Sequence, residues 1–140
     1  MFRVLLPVDT GDKRALAAAE TVTSLPAADS VSVTILNVQS EVDVVDEGGR
    51  VSSKEWYDES DFPPSVDKAK EYLEDSGIEV ATRREHADPA EAILDLADEI
   101  DADRIVMSGQ KRSPVGKALF GSVTQSVLLD SSVPVTVALR

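Results

Sequence analysis

Cysteine is absent from the 140 residues, which removes disulfides, thiolate nucleophiles and cysteine-based zinc sites from consideration. Histidine occurs once, at His86, too few for a histidine-cluster metal site, and a structural strand-end residue is a simpler reading of it than a catalytic base. No apolar run approaches the ~18 to 20 residues needed to cross a bilayer, and MFRVLLPVD meets an acid before a secretory apolar region could be completed, so a cytoplasmic protein is expected. Basic residues are scarce: 14 Lys+Arg stand against 26 Asp+Glu, a formal net charge of −12. That imbalance disfavours nonspecific binding to nucleic acid or to an anionic membrane. It suits a halophilic protein in a high-salt cytoplasm, where carboxylates hold water at the surface while salt screens their repulsion. Apolar residues, by contrast, are plentiful. At 42% hydrophobic content the chain reads as one domain over 1–140, long enough to bury roughly two-thirds of its unfolded surface.

The acids are not spread evenly. Residues 105–129, IVMSGQKRSPVGKALFGSVTQSVLL, contain none, and carry Lys111, Arg112 and Lys117 instead. An apolar run, Ile105-Val106-Met107, ends at Ser108-Gly109, a basic loop with Gly116 follows, and Gly121-Ser122 opens an amphipathic helix. Ser122 is placed to cap that helix, with Gln125 closing the box. A strand feeding a glycine-bearing loop and then a helix N-terminus gathers unpaired N–H groups and a positive dipole end, which suits an anion and above all a phosphate. A plainer account stays open: a buried strand and helix exclude charge anyway, and the three cations offset the acidic field.

The rest of the chain alternates. Phe2 to Val8 is an apolar, β-rich strand, and Asp12 to Ser24 a helix with Ala15, Leu16, Ala19 and Val22 at helical spacing. Val31 to Val38 is a second strand. Gln39 to Pro64 reads as a long polar loop, with Gly48-Gly49, Pro63-Pro64 and three of the six aromatics, Trp56, Tyr57 and Phe62, suggesting a packed flap. Ser65 to Ser76 is the second helix with Gly77 as its stop, and the more polar Ile78 to Glu85 an edge strand. Asp88-Pro89-Ala90-Glu91 supplies a cap, a first-turn proline and a box-closing glutamate for a third helix. Ala102 to Ser108, the Ser122 helix and a last strand, Val133 to Leu139, complete the chain.

Strands separated by helices imply right-handed crossovers and a single-domain α/β fold: an open parallel five-stranded sheet with helices on both faces, its first and fourth strands central. Ligands in such sheets sit beyond the carboxyl ends of the strands where strand order reverses, so Pro7-Val8-Asp9 should face Ser108-Gly109 across a crevice. Other chemistries fit poorly. Gly116-Lys117-Ala118 is not a Walker A loop, because Ala118 lacks the hydroxyl that binds Mg²⁺, and Glu41 to Glu47 lacks calcium-loop spacing.

The segments RVLLPVD, ILNV, DPAEAILDLADEIDADRIVMSG and GSVTQSVLLDSSVPVTV together resemble the universal stress protein family over nearly the whole chain. The resemblance implies a Rossmann-like, adenine nucleotide alpha hydrolase-like sheet of strand order 3-2-1-4-5. It also implies a bound ATP or related adenine nucleotide with Mg²⁺. Pro7, Val8, Asp9 and Val38 would line the adenine and ribose end and Gly109, Gly121, Ser122 and Val123 would hold phosphates, with Met107 and Gly116 also at the nucleotide site. Asp9 would bond a ribose hydroxyl or help hold a phosphate-bound magnesium, or else cap the first helix region. The family's glycine motif is altered here: Arg112 stands where a second glycine is expected, and the span to Gly121 is one residue short, leaving Gly116 as the other glycine. Lys111, Arg112 and Lys117 could replace backbone donors with charge-assisted contacts. The apolar last strand, at a sheet edge, together with the resemblance implies a C2 homodimer through that strand.

Two functional readings follow. In one the chain is an adenine-nucleotide-binding stress-response regulator, homodimeric and without efficient hydrolysis, since no general base or nucleophile is positioned. In the other it is a dimeric stress-response scaffold that has lost the nucleotide. An enzyme on the same fold has least support, and the protein partner is not legible.

Overall fold

The computed structural model describes residues 1–40, 43–46, 49–52, 58, 60–111, 118–119 and 121–139; for 43–46, 49–52, 110–111 and 118–119 the description is confined to the backbone. In chain order the elements are β1 (Phe2–Pro7), α1 (Asp12–Thr23), a 3₁₀ turn (Ala28–Ser30), β2 (Val31–Gln39), β3 (Asp43–Asp46), β4 (Gly49–Ser52), α2 (Pro64–Asp75), β5 (Glu79–His86), α3 (Pro89–Glu99), β6 (Arg104–Lys111), β7 (Ala118–Leu119), α4 (Ser122–Asp130) and β8 (Val135–Leu139).

Five strands form a parallel sheet in the spatial order β5-β2-β1-β6-β8, which is the expected 3-2-1-4-5. The two faces of β1 show why it lies at the centre. Val4 and Leu6 point into one core with Val33 and Ile35 of β2, Ala15, Ala18, Ala19 and Val22 of α1, and Val66, Ala69 and Leu73 of α2. Leu5 points the other way, into a core with Leu36, Ile105 and Met107, Ile93, Leu96 and Ala97 of α3, and Val127 of α4. A strand buried on both faces has no polar positions to alternate with, hence the continuous VLL run. The alanine-rich stripe of α1 removes side-chain bulk where α1 meets both the sheet and α2.

Helix ends follow from local chemistry. The α2 helix stops at Gly77, which takes φ +83° so that its N–H reaches Glu74 O (2.9 Å) while Ile78 N–H reaches Leu73 O (3.0 Å). This is a Schellman closure, sealed by the buried pair Leu73 and Ile78. The α3 helix closes in the same way, with Ala102 N–H on Ala97 O, but uses Asp101 at φ 52°, a left-handed position with no glycine to announce it.

Three readings need correcting. The 39–64 span is not all loop: Asp43–Asp46 pairs antiparallel with Gly49–Ser52. Its Val-Val and Gly-Gly dipeptides are a hairpin pattern that the surrounding acids hid. Trp56 and Tyr57 lie outside the described residues, while Phe62 packs on the α1/α2 core. The last strand begins at Val135, because the Ser131 hydroxyl accepts from Val133 N–H (3.1 Å) and donates to Val133 O (2.7 Å), holding Val133 in a turn. Finally, Ser122 is the first helical residue of α4; the capping position belongs to Gly121, which has no side chain to offer.

Candidate functional site

Strand β1 has β2 on one side and β6 on the other, and the chain leaves their carboxyl ends toward opposite faces of the sheet. A cavity of about 290 Å³ opens there. The end of β1 and its turn contribute Pro7, Val8 and Asp9; β2 and the residue after it contribute Leu36, Val38 and Ser40; β6 contributes Met107 and Ser108. The first turns of α3 and α4 close it with Pro89, Ile93, Val123 and Thr124. Apolar walls thus surround four polar side chains, a lining suited to a flat, partly polar ligand.

The turn that forms one wall is held by backbone contacts. Val8 N–H donates to Leu36 O (2.8 Å), and the buried Asn37 amide donates to Val8 O (2.9 Å). Asn37 Oδ1 in turn accepts from Arg84 Nε (3.0 Å), and the same guanidinium reaches Gln39 Oε1 (3.1 Å) and the Asp58 carbonyl. Ser65, fully buried at the start of α2, donates to Asp9 O. Strands β2 and β5, helix α2 and the backbone at Asp58 therefore all fix the position of Val8 and Asp9.

The Asp9 side chain closes its own turn. One oxygen accepts from Gly11 N–H (2.8 Å), and the other faces Arg14 at 3.1 Å. This is an Asx-type turn, with Gly11 itself at the capping position of α1. The carboxylate is 61% exposed, so the Arg14 pair adds little stability and chiefly sets its orientation. At the other side of the cavity α4 presents an N-terminus with no capping side chain and no acid in its first turn. Gln125 N–H takes Gly121 O (3.0 Å), which leaves the Ser122, Val123 and Thr124 N–H groups without partners among the described residues.

Of the residues expected at a site, Pro7, Val8, Asp9, Val38, Met107, Ser108 and Val123 line this cavity. Gly109 lies beyond it in β6, buried and paired with Leu139, while Gly121 and Ser122 sit exposed at the tip of α4. Lys111 is described by its backbone alone, opposite Ala118. Arg112, Gly116 and Lys117 lie outside the described residues. Sequence reasoning missed Leu36, Ser40, Pro89, Ile93 and Thr124. A usable signal existed for two of them, since a helix that follows a strand's carboxyl end starts at the ligand-bearing edge of the sheet, which places Pro89 and Ile93 there. Among the described residues no group of three or more Asp, Glu or His comes together to hold a metal ion, and no helix is long and apolar enough to cross a membrane.

The universal stress protein family model matches residues 1–138. A universal stress protein of Mycolicibacterium smegmatis is 38% identical over 71 residues, half of this chain and 55% of the relative, so the match spans about half of that protein. A universal stress protein structure from Archaeoglobus fulgidus, 25% identical, superposes with a TM-score of 0.68 over 98% of each chain. Another from the same organism, in complex with dAMP, is 22% identical with a TM-score of 0.60 over 98% of this chain and 97% of that one.

Proposed function

From this chain's membership of the universal stress protein family, we propose that it is a stress-response regulatory protein that binds an adenine nucleotide in the cavity at the end of β1. The observation that carries the proposal is the joining of two half-sites in one space: an apolar slot between Val8, Val38 and Met107 that fits a base, and an uncapped helix N-terminus at Val123-Thr124 that fits a phosphate. The dAMP complex of the Archaeoglobus fulgidus protein supports it. ATP or a related adenine nucleotide is the ligand class. A magnesium ion would find one carboxylate among the described lining residues, Asp9, already turned toward Arg14, so an ion would arrive on the nucleotide's own phosphates. The one carboxylate in the described lining, Asp9, is engaged by Gly11 N–H and Arg14, and the role we read is binding and signalling rather than efficient hydrolysis.

Calorimetry in multimolar KCl, comparing the parent with Gly121→Val, tests this. Gly121 has extended backbone at φ −64°, and a Cβ added there meets nothing within 4 Å among the described residues, so the variant should fold while its new methyls block a phosphate's approach. Binding heat in the parent and none in the variant is the expected result. Absence of heat in both would favour the nucleotide-independent dimeric scaffold, the reading that Arg112 at a glycine position makes reasonable. In either case the proposed dimer forms through β8, whose described pairing is to β6 and whose five residues are all half-buried. A monodisperse monomer by light scattering at micromolar protein would refute it.

A further inference from the structure

Strand β5 ends the sheet: it pairs with β2 on one side, and no described strand lies on the other. Ala87 N–H donates to Gln39 O, which fixes the alternation along the strand. Residues 79, 81, 83 and 85 turn their main chain toward β2, while Val80 and Thr82 turn theirs to the open side, where they meet no partner among the described residues. The two faces of β5 also differ. Val80 packs on the core under α1 and α2, but α3 lies over β1 and β2, and Ala81 and Arg83 on its side are exposed. In that gap a second cavity of about 290 Å³ runs between β5 and α3. Ala92, Asp95, Leu96 and Glu99, one stripe of α3 at helical spacing, form one wall, and Arg83 and Glu85 stand opposite. Ala92 and Leu96 are buried and give the cavity an apolar floor. Carboxylates dominate its rim: Arg83 is shared between Glu85 (2.8 Å) and Glu99 (2.7 Å), and Asp95 has no partner among the described residues.

We infer that this edge and cavity together dock an extended segment of a basic partner protein, which adds a strand beside β5 and lays a lysine or arginine into the cavity. An edge strand offers main-chain pairing to any extended chain, and a pocket beside it selects the side chains. The pocket here suits an aliphatic stem over Ala92 and Leu96 with a cationic head at Asp95 and Glu99. Charge sets the partner's sign as well. A second copy paired about Thr82 would place Glu79 against Glu85, and a chain of formal net charge −12 repels its own kind and attracts a basic one.

The test uses a capped, labelled peptide as long as β5, eight residues, with lysine and threonine alternating, and a control with glutamate in place of lysine. Fluorescence anisotropy at one fixed KCl concentration measures binding to the full chain, and amide exchange followed by NMR reads the strand itself. The lysine peptide should bind and slow exchange at Val80 and Thr82, and the glutamate peptide should do neither. Asp95→Lys, a change at an exposed residue, should weaken binding about tenfold or more. Thr82→Pro removes a donor that faces the open side and leaves the pairing with β2, so it should abolish binding while a thermal melt shows the protein folded. Should that variant not fold, Asp95→Lys and the exchange data decide the matter alone. Equal binding of the two peptides, an unchanged affinity in Asp95→Lys, or binding that leaves exchange at Val80 and Thr82 as it was would overturn the inference. So would the absence of binding by either peptide, or oligomers growing through β5, which would give the edge to a second copy.

Discussion

Replacing Asn37 with alanine should destabilise the protein far more than the loss of one polar side chain suggests. The amide is 4% exposed and makes two contacts of different worth. Its Nδ2 donates to the Val8 carbonyl, a neutral bond worth about 1 kcal/mol net, and its Oδ1 accepts from the Arg84 guanidinium, a charge-assisted bond worth about 2 kcal/mol. Together they amount to about 3 kcal/mol, and nothing in the alanine variant re-pairs the Val8 carbonyl. For a chain of this size each kcal/mol moves the melting point by about 2 to 4 °C, so a fall on the order of 10 °C is expected. Urea unfolding at fixed salt, followed by circular dichroism, measures the loss directly. Asn37→Asp keeps the acceptor toward Arg84 and loses the donor toward Val8, and should recover part of it. A double-mutant cycle with Arg84→Met should return a coupling of about 1 kcal/mol or more, since the two side chains touch. A loss below about 1 kcal/mol in Asn37→Ala, or strict additivity in the cycle, would show that the chain from Val8 to Arg84 does not act as a connected unit.

Two further outcomes are expected. Asp88 caps α3 by accepting Glu91 N–H at 3.1 Å, and Asp88→Ala should cost about 1 kcal/mol in a denaturant titration, with Asp88→Ser recovering most of it. Hydrogen bonds from Ser60 N–H and then the Ser60 hydroxyl, with the charge of Arg84 adding less, hold the Asp58 carboxyl below the ordinary aspartate range. Because the folded value is lowered, this contribution is present above the ordinary value and disappears as pH falls through the lowered one. A carboxyl carbon titration by NMR should find the low midpoint, and Ser60→Ala should raise it while leaving the backbone contact; an unchanged midpoint would rule out the hydroxyl's share.

Much of this architecture could be read from periodicity. The unbroken VLL of β1 and the IVM of β6 demanded burial on both faces, and that alone made them central neighbours and put the crevice between them. The Asp88-Pro89-Glu91 start of α3 and the Gly77 stop of α2 were equally plain, because each is a backbone requirement met by a particular residue type. What was hidden was tertiary. Asp101 takes a left-handed conformation that its residue type does not advertise, and the β3–β4 pairing was masked by flanking acids. Asn37 in ILNV looked like a polar interruption of a strand, whereas its partners lie 29 and 47 residues away. Thr124 differed in kind: only its burial against a cavity, which no local pattern encodes, distinguishes it from Ser122 two positions earlier.

The bond from Ser65 to the Asp9 carbonyl has a consequence for how this chain tolerates change. The excursion after β2 departs at Ser40, a lining residue, and returns through Asp58, whose carbonyl accepts from Arg84, and Phe62, which packs on the α1/α2 core, to Ser65, which grips the Asp9 turn. Both ends of that excursion are therefore tethered at the mouth of the cavity, like the two ends of a drawstring. Because Ser65 holds the Asp9 carbonyl, a strain arising in that excursion is passed to the turn that lines the cavity.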